Sequence, residues 1–296
     1  MIKNFIELSK SKKTVSKTLV VAAAHDKETL EAINIAERDF NIKYILVGDR
    51  NKIISESSNF GFSIASDKII DTNGDEECVK VAVELIKNDA GDALMKGLLD
   101  TGALLKAVLN KKNDIRGTGV LSHMALLEVQ KYNKLIGITD GGMIPNPTFE
   151  QKVSITTNAA KYFTGIGYDK PKIAALCASE TVNEKIPETV DAAKLQKQCQ
   201  NGSLGDCILE GPVSFDIAVD KNSAQKKKYP GKIGGEADIL LVPNITVGNV
   251  LAKGLIYWAG AKMAGCILGA KIPIVLASRG ASAEEKVQSI MMSLIQ

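Results

Sequence analysis

A hydroxyl, a guanidinium and a glycine stand together near the C-terminus, as Ser278, Arg279 and Gly280. The residues just before them are apolar and predict a short buried strand. Ser282, followed three residues later by Glu285, is typical of a helix N-cap and its capping box. A turn between a strand end and a helix start offers a hydroxyl, a fixed cation and backbone N–H groups together. Such a turn suits a phosphate or an acyl phosphate.

Short apolar runs recur along the chain and alternate with segments whose apolar residues are three and four positions apart. This alternation predicts an α/β fold with a largely parallel sheet, in which ligands bind at the carboxyl ends of strands. Polar residues follow several of the predicted strands, as at His25-Asp26 and Thr139-Asp140. The predicted strands are 18–24, 44–48, 92–97, 135–140, 172–178, 207–212, 238–244 and 274–277, and the clearest helices are 27–40 and 76–89.

The composition is that of an ordinary globular protein of one large or two medium domains. Its 296 residues include 37 basic and 34 acidic side chains, with a net charge of +3. This balance gives no reason to expect nucleic acid or a membrane as a partner. The first residues form no signal peptide, and no run reaches the roughly 18 apolar residues of a membrane span.

The five cysteines are odd in number and have no Cys-x-x-Cys spacing, which argues against a disulfide framework or a zinc site. A reducing, cytoplasmic location is therefore expected. No nucleotide-binding glycine motif or Gly-x-Ser-x-Gly elbow occurs. Asp216 and Asp220 stand one helical turn apart, so they offer either a Mg²⁺ site or, as we prefer, capping or an exposed helix face. No metal site is predicted.

Four segments stand out together: 95–106, 139–150, 237–253 and 278–280. In this order and spacing they resemble the phosphate acyltransferases, namely phosphate acetyltransferase and, more closely, phosphate butyryltransferase. Ser122-His123, the stretch 187–193 and Gly211-Pro212 fit the same family. The resemblance is strong from residue 92 to the C-terminus and weak before it.

The resemblance implies the reaction acyl-CoA + phosphate ⇌ acyl phosphate + CoA, with coenzyme A as a substrate and no tightly bound cofactor. It also implies two α/β domains with mainly parallel sheets, as in the isocitrate and isopropylmalate dehydrogenases, and an active site in the interdomain cleft. Residues 1–124 plus 270–296 are expected to form one domain and 125–269 the other. We further expect a homo-oligomer, at least a dimer.

The catalytic residues that follow from the resemblance are Ser278, Arg279, Glu285 and Lys106. Arg279 can clamp phosphate with two parallel hydrogen bonds, and Ser278 can donate to phosphate or to the carbonyl oxygen. The alternative for Arg279 is a surface ion pair, and the alternative for Ser278 is a helix cap. Lys106 stands where the family usually has arginine. Lysine keeps the positive charge but lacks the two-pronged guanidinium that binds phosphate with two hydrogen bonds. The alternative is that Lys106 is an exposed helix lysine.

The thiol of CoA is mostly protonated near neutral pH, so a base that removes this proton would assist its attack on the acyl group. The family's acetyltransferases place an aspartate seven residues after the serine, and Glu285 occupies that position here. Glu285 is equally the capping-box residue, and its neighbour Glu284 is the second choice for the base.

The predicted substrate-binding residues are Lys96, Thr101, Ser122, His123, Asn249 and Lys253. For Lys96, the alternative is that its aliphatic side chain is simply buried under the sheet. For Asn249 and Lys253, the alternative is an exposed helix face without a ligand. Gly141-Gly142 stands where acetyltransferases tend to have a cysteine, so we expect more room there and a longer acyl chain.

Three functions remain open at this point. The first is a phosphate acyltransferase for butyryl or branched-chain groups, or for acetyl. The second is a metal-dependent NAD dehydrogenase of the same fold. The third is a non-catalytic sensor of acyl-CoA or acyl phosphate, which the lysine and glutamate replacements favour.

Overall fold

The computed structural model describes residues 2–10, 17–117 and 119–295, in which strands and helices alternate. The strands are β1 (Thr18–Ala22), β2 (Lys43–Gly48), β3 (Ile69–Asp71), β4 (Ala93–Lys96), β5 (Ser122–Glu128), β6 (Ile136–Thr139), β7 (Lys172–Leu176), β8 (Ile208–Val213), β9 (Ile239–Leu241), β10 (Lys262–Leu268) and β11 (Ile274–Val275). The helices are α1 (Phe5–Lys10), α2 (Lys27–Phe40), α3 (Arg50–Ser58), α4 (Asp75–Lys87), α5 (Thr101–Leu109), α6 (Phe149–Gly165), α7 (Pro187–Gln200), α8 (Phe215–Val219), α9 (Lys221–Lys226), α10 (Ile245–Ala259) and α11 (Ala283–Leu294). No helix in these ranges is long and apolar enough to cross a membrane.

The chain divides into two compact units. The first unit contains Ser9–Gly119 and Ala264–Ile295, and the second contains Met1–Leu8 and Val120–Met263. The sequence-based boundaries were 124 and 270, and residues 2–8, which that prediction grouped with the first domain, lie in the second unit instead. The N-terminal residues belong to the second unit because the Leu135 N–H donates to the Ile2 carbonyl (3.0 Å) and the Phe5 N–H donates to the Glu128 carboxylate (2.9 Å).

The first unit has a six-stranded sheet in the order β3-β2-β1-β4-β11-β10. All of its neighbouring strands are parallel except β10, which is antiparallel to β11. Ala22 is in register with Lys96, and Val275 with Met95, so β1, β4 and β11 end at one edge. The loops after these three strands therefore lie side by side.

The second unit has a five-stranded sheet in the order β5-β6-β9-β7-β8. Strands β6, β9, β7 and β8 are parallel, and β5 is antiparallel to β6. Because of this direction, β5 begins at the edge where β6 ends. The core is a continuous apolar cluster that includes Ile138, Ala174 and Leu240, all fully buried.

The predicted α/β class with mainly parallel strands is confirmed. All eight predicted strands are present, and six of them are shorter than predicted, because their last residues form the loops at the carboxyl edge. The sequence-based prediction did not include β3, β5 and β10, two of which form antiparallel pairs.

Candidate active site

In the first unit, three strand ends bring charged side chains together. Arg279 follows β11, and its Nη2 donates to Oδ2 of Asp100, 3.2 Å away, after β4. Asp100 is also the N-cap of α5, where its Oδ1 accepts from the Gly102 N–H at 2.8 Å. Both charged side chains are mostly exposed, at 60 % and 69 %. Arg279 therefore forms the surface ion pair considered above. Such an exposed ion pair is weak, so a bound anion can replace Asp100 as the partner of Arg279.

Lys96 closes β4 and is only 3 % exposed. Its ammonium donates to the carbonyls of Gly97 (3.1 Å) and Leu99 (3.2 Å). Burial lowers the pKa of Lys96, and the cations Arg279 and Lys286 lower it further. The carboxylates of Asp26 and Asp100 oppose this shift without cancelling it, so the ammonium would gain from a bound anion.

A buried ion pair that sequence reasoning missed lies at the same edge. Lys286 of α11 donates to Oδ1 of Asp26 (2.7 Å) and to the Thr29 hydroxyl (2.9 Å), and Asp26 caps α2. Burial opposes the charge on Asp26, but hydrogen bonds from Lys286 and Thr29 hold its pKa below the usual value. Oδ2 of Asp26 is buried without a partner. The polar residues after β1 were the available signal for Asp26; nothing in the sequence marked Lys286.

The turn after β11 forms as predicted. The Ala281 N–H donates to the Ser278 carbonyl (3.1 Å), and Ser278 and Arg279 are exposed. Ser282 caps α11, and the Glu285 carboxylate accepts from the Ser282 N–H at 2.8 Å in a complete capping box. The predicted cap is confirmed, so Glu285 holds a structural hydrogen bond whatever else it does.

Thr101 and Lys106 both lie on α5. Thr101 is its first residue, directly after Asp100, and is half-buried beside the group just described. Lys106 is exposed in the last turn, and no residue in the described ranges forms an ion pair with it. The structure thus brings Lys96, Thr101 and Arg279 to one edge and leaves Lys106 on the surface of the helix.

In the second unit, a single carboxylate organises the loop after β6. Oδ1 of Asp140 accepts from the backbone N–H groups of His123 (3.2 Å), Gly142 and Met143 (both 2.9 Å), and Oδ2 accepts from that of Ile144 (3.1 Å). Asp140 is 2 % exposed. Four charge-assisted hydrogen bonds fix the course of the loop and attach it to β5.

Ser122 and His123 begin β5 beside this loop. Ser122 is fully buried, and its hydroxyl accepts from Nδ2 of Asn158 at 3.0 Å. Nδ1 of His123 is buried without a partner. Burial lowers the pKa of His123 while Asp140 opposes the shift, so the imidazole is neutral at pH 7. The Ser122 hydroxyl is thus paired with Asn158, whereas Nδ1 of His123 has no partner.

The glycines of this loop do not provide open space. A Cβ on Gly142 would lie 2.9 Å from Cγ of His123, and one on Gly141 would lie 3.0 Å from the carbonyl carbon of Gly248. The expectation that Gly141-Gly142 leaves room for a longer acyl chain is wrong, because the His123 ring and the α10 backbone fill that room. The glycines instead allow β5, the loop and α10 to approach one another.

Asn249 and Lys253 are exposed one turn apart on α10. The backbone of Asn249 adjoins the glycine loop, since its nitrogen would be 3.3 Å from a Cβ on Gly141. The structure therefore gathers His123 and Asn249 around the loop, with Lys253 one turn further along.

A shallow, open pocket lies at the carboxyl ends of β7 and β9 in the second unit. Apolar residues such as Leu176 and Val242 form most of its wall, and Lys152, Glu188 and Asp191 supply charge. Nζ of Lys152 donates to Asp191 at 2.8 Å.

The Asp216/Asp220 pair has separate structural roles. Asp216 accepts from Ser214 (2.7 Å) and from Lys227, while Asp220 caps α9. The predicted capping role is confirmed for Asp220. Within the ranges that the structure describes, no group of three or more His, Cys, Asp or Glu side chains is placed to hold a metal ion.

Comparison with known proteins identifies the class to which this fold belongs. Residues 75–294 match the family model described as "Phosphate acetyl/butaryl transferase". The chain belongs to this family of transferases.

Relatives of both acyl specificities are similar over almost the whole chain. A "Probable phosphate butyryltransferase" of Bacillus subtilis is 40 % identical, covering 94 % of this chain and 93 % of that protein. A phosphate butyryltransferase of Clostridium acetobutylicum is 36 % identical, covering 100 % and 98 %. A phosphate acetyltransferase of Thermotoga maritima is 35 % identical, covering 99 % of each chain.

Solved structures agree on the fold. A branched-chain phosphotransacylase from Enterococcus faecalis superposes with a TM-score of 0.83 at 29 % identity, covering 94 % of this chain and 98 % of that one. A 4-hydroxythreonine-4-phosphate dehydrogenase from Klebsiella pneumoniae gives a TM-score of 0.55 at 13 % identity, covering 95 % and 100 %. The second likeness concerns the fold alone and agrees with the expected dehydrogenase-like architecture.

Proposed function

We propose that this protein transfers a short-chain acyl group between coenzyme A and phosphate, as acyl-CoA + phosphate ⇌ acyl phosphate + CoA. Family membership and the named relatives support the reaction. The observation that carries it is the group of cations at the carboxyl edge of the first unit. Buried Lys96 and exposed Arg279 lie there beside the start of α5, an arrangement that favours a polyvalent anion.

In this proposal Arg279 and Lys96 bind phosphate or the phosphoryl group, and Ser278 and Thr101 donate hydrogen bonds to it. Glu285 accepts the thiol proton of CoA, and Lys106 adds positive charge. His123, Asn249 and Lys253 contact the acyl group or CoA, and Ser122 completes the substrate-binding set. No covalent intermediate is required, because CoA attacks the acyl phosphate directly when both are bound. Coenzyme A is a substrate, and we propose no tightly bound cofactor.

The acyl group is proposed to be butyryl or branched-chain. Two of the relatives named above are phosphate butyryltransferases, and the similar solved structure is a branched-chain phosphotransacylase. An acetyl preference is the alternative, since an acetyltransferase is nearly as similar.

Phosphate-dependent release of CoA tests the proposal and ranks the substrates. Acetyl-, propionyl-, butyryl-, isobutyryl- and isovaleryl-CoA are compared with a thiol reagent as readout. We expect kcat/KM to be highest for the four- and five-carbon substrates. Arg279→Ala should lower kcat/KM by roughly 100- to 1,000-fold and Arg279→Lys by less, because lysine keeps the charge. Absence of phosphate-dependent release from every acyl-CoA would refute the proposal.

The same samples distinguish the competing functions. A dehydrogenase would reduce NAD with a hydroxy acid in a metal-dependent manner, although Asp216 and Asp220 are engaged separately. A sensor would bind CoA tightly without turnover in a folded protein. Either result would replace the transferase proposal.

We also propose a cytoplasmic homo-oligomer, at least a dimer, with helix α10 as the contact. Val250, Tyr257 and Trp258 are 66 %, 81 % and 94 % exposed on this helix. Gly254 lies between them and leaves space for close approach. A second copy would cover this face in a two-fold contact. Light scattering should give a dimer that Trp258→Glu converts to monomer; a monomeric parent protein would exclude the contact.

A further inference from the structure

Two cysteines of the second unit have their sulfur atoms in contact. Cys199 lies in the last turn of α7, and Cys207 directly precedes β8. Their Sγ atoms are 3.6 Å apart. A disulfide bond is about 2.05 Å long, so closure by roughly 1.5 Å separates this dithiol from a bond.

The turn between the two residues holds the sulfurs in this arrangement. The Gly202 N–H donates to the Cys199 carbonyl at 2.9 Å, and the Ser203 N–H donates to that of Gln198 at 3.0 Å. Gly202 and Gly205 adopt positive φ angles of 77° and 83°. The Cys199 thiol also contacts the Cys207 carbonyl at 3.3 Å. The thiols face each other because both flanking elements and the turn are ordered.

We propose that Cys199 and Cys207 are a redox modification site, oxidised to an intramolecular disulfide by a small disulfide such as oxidised glutathione. One protein thiolate attacks the small disulfide, forming a mixed disulfide and releasing one small thiol. The second protein thiolate then attacks the mixed disulfide and releases the other. Two protein thiols are oxidised, one small disulfide is reduced to two thiols, and these take up the two protons that the cysteines lose.

The surroundings make the reaction slow and specific to this pair. Burial and then the neighbouring Cys199 raise the pKa of the Cys207 thiol to about 12, so little thiolate is present at neutral pH. The other thiols contact no second cysteine in the part of the chain that the structure describes: Cys78 contacts the Thr72 hydroxyl, Cys266 is buried, and Cys177 stands alone. A modified Cys177 would therefore remain a mixed disulfide.

Mass spectrometry of the intact, folded protein tests the proposal. The reduced protein is equilibrated with oxidised glutathione, alkylated and digested with trypsin. Cys199 and Cys207 share the tryptic peptide 198–221. We expect this peptide to lose two hydrogens without gaining glutathione, while the free thiols fall from five to three. The thermal midpoint should rise, because the bond restricts the unfolded chain.

Three variants complete the test. Cys199→Ser and Cys207→Ser should each retain one glutathione on the peptide and show no rise in midpoint, whereas Cys177→Ser should behave like the parent protein. The same oxidation in denaturant shows that the reagent is competent. If the folded peptide stays reduced while the denatured one oxidises, or if it keeps glutathione in the parent protein, the proposal is wrong.

Discussion

Lys96 has an environment unlike that of an ordinary surface lysine. Its ammonium is buried and donates to two carbonyls. Burial and the nearby cations Arg279 and Lys286 lower its pKa, and Asp26 and Asp100 oppose the shift only in part. A bound phosphate would return the pKa toward its usual value, because an opposite charge favours the ammonium. Binding of phosphate and protonation of Lys96 are therefore coupled.

This coupling predicts a pH dependence of phosphate affinity. Since the pKa of Lys96 in the free protein is below 10.5, the ammonium is lost as the pH rises toward that value, and affinity should fall with it. Calorimetric titration with phosphate at alkaline pH, where the ligand's charge stays constant, measures the slope. Lys96→Met should bind weakly and remove the slope; an unchanged slope in that variant would show that another group titrates.

Glu285 has two possible duties that one substitution separates. Glutamine also completes a capping box, so Glu285→Gln should leave the thermal midpoint nearly unchanged. If the carboxylate is the base for the CoA thiol, kcat should fall by roughly 100-fold or more. Ser282→Ala is the opposite control and should cost about 1 kcal/mol of stability through the lost cap. Full activity in Glu285→Gln would confine Glu285 to capping.

Among individual residues, the roles set by neighbouring positions in the sequence could be predicted, whereas the roles set by tertiary contacts could not. Ser282 and Glu285 were predictable because a capping box is a property of four adjacent residues. Lys286 was not predictable, because a lysine in a helical pattern indicates a solvent-exposed position. In the structure, α11 is buried from this residue to its end. Its partner Asp26 is 260 positions away.

Among the elements, the contact between the glycine loop and β5 has a direct test. Gly142→Ala would place a methyl group 2.9 Å from the His123 ring, which is buried and cannot move freely. We expect a loss of about 1–3 kcal/mol of stability and a raised KM for acyl-CoA. Gly165→Ala at the end of α6 is the matched control, since nothing lies within 4 Å of that position. Equal stability of the two variants would contradict the described contact.

Parallel strands were predicted better than antiparallel ones. The runs that became β1, β7 and β9 are continuous apolar stretches, as expected of strands buried on both faces. β5 contains no β-branched or aromatic residue and β10 contains only Ile267, so their residues give little strand signal. The orientation of β5 in turn places His123 at the site.

In the molecule as a whole, the two edges of the sheet in the second unit have different roles. The candidate site lies where β6 and β9 end, whereas a buried ion pair between Lys134 and Asp238 lies where they begin. Lys134 also donates to the Glu236 carbonyl (2.8 Å), and Asp238 accepts from the Lys172 N–H (2.7 Å). Stability and activity should therefore respond to different substitutions.

Lys134→Met would leave the Asp238 carboxylate buried without its counter-ion. Such a change typically costs 3–5 kcal/mol, so we expect a loss of about that size in urea unfolding. Asp238→Asn combined with Lys134→Met should recover part of the loss because the charge is removed. Activity per folded molecule should stay near that of the parent protein; a matching fall in kcat would show that the two ends are not independent.

The loop after β6 depends on one side chain, and this gives it a dynamic signature. The amides of His123, Gly142, Met143 and Ile144 all donate to the Asp140 carboxylate, so displacement of this one side chain frees all four. In hydrogen–deuterium exchange they should behave as one cooperative group with a common opening rate. Asp140→Asn should speed exchange at all four positions at once. A ligand that docks on this loop would then be visible as their joint protection, without any turnover.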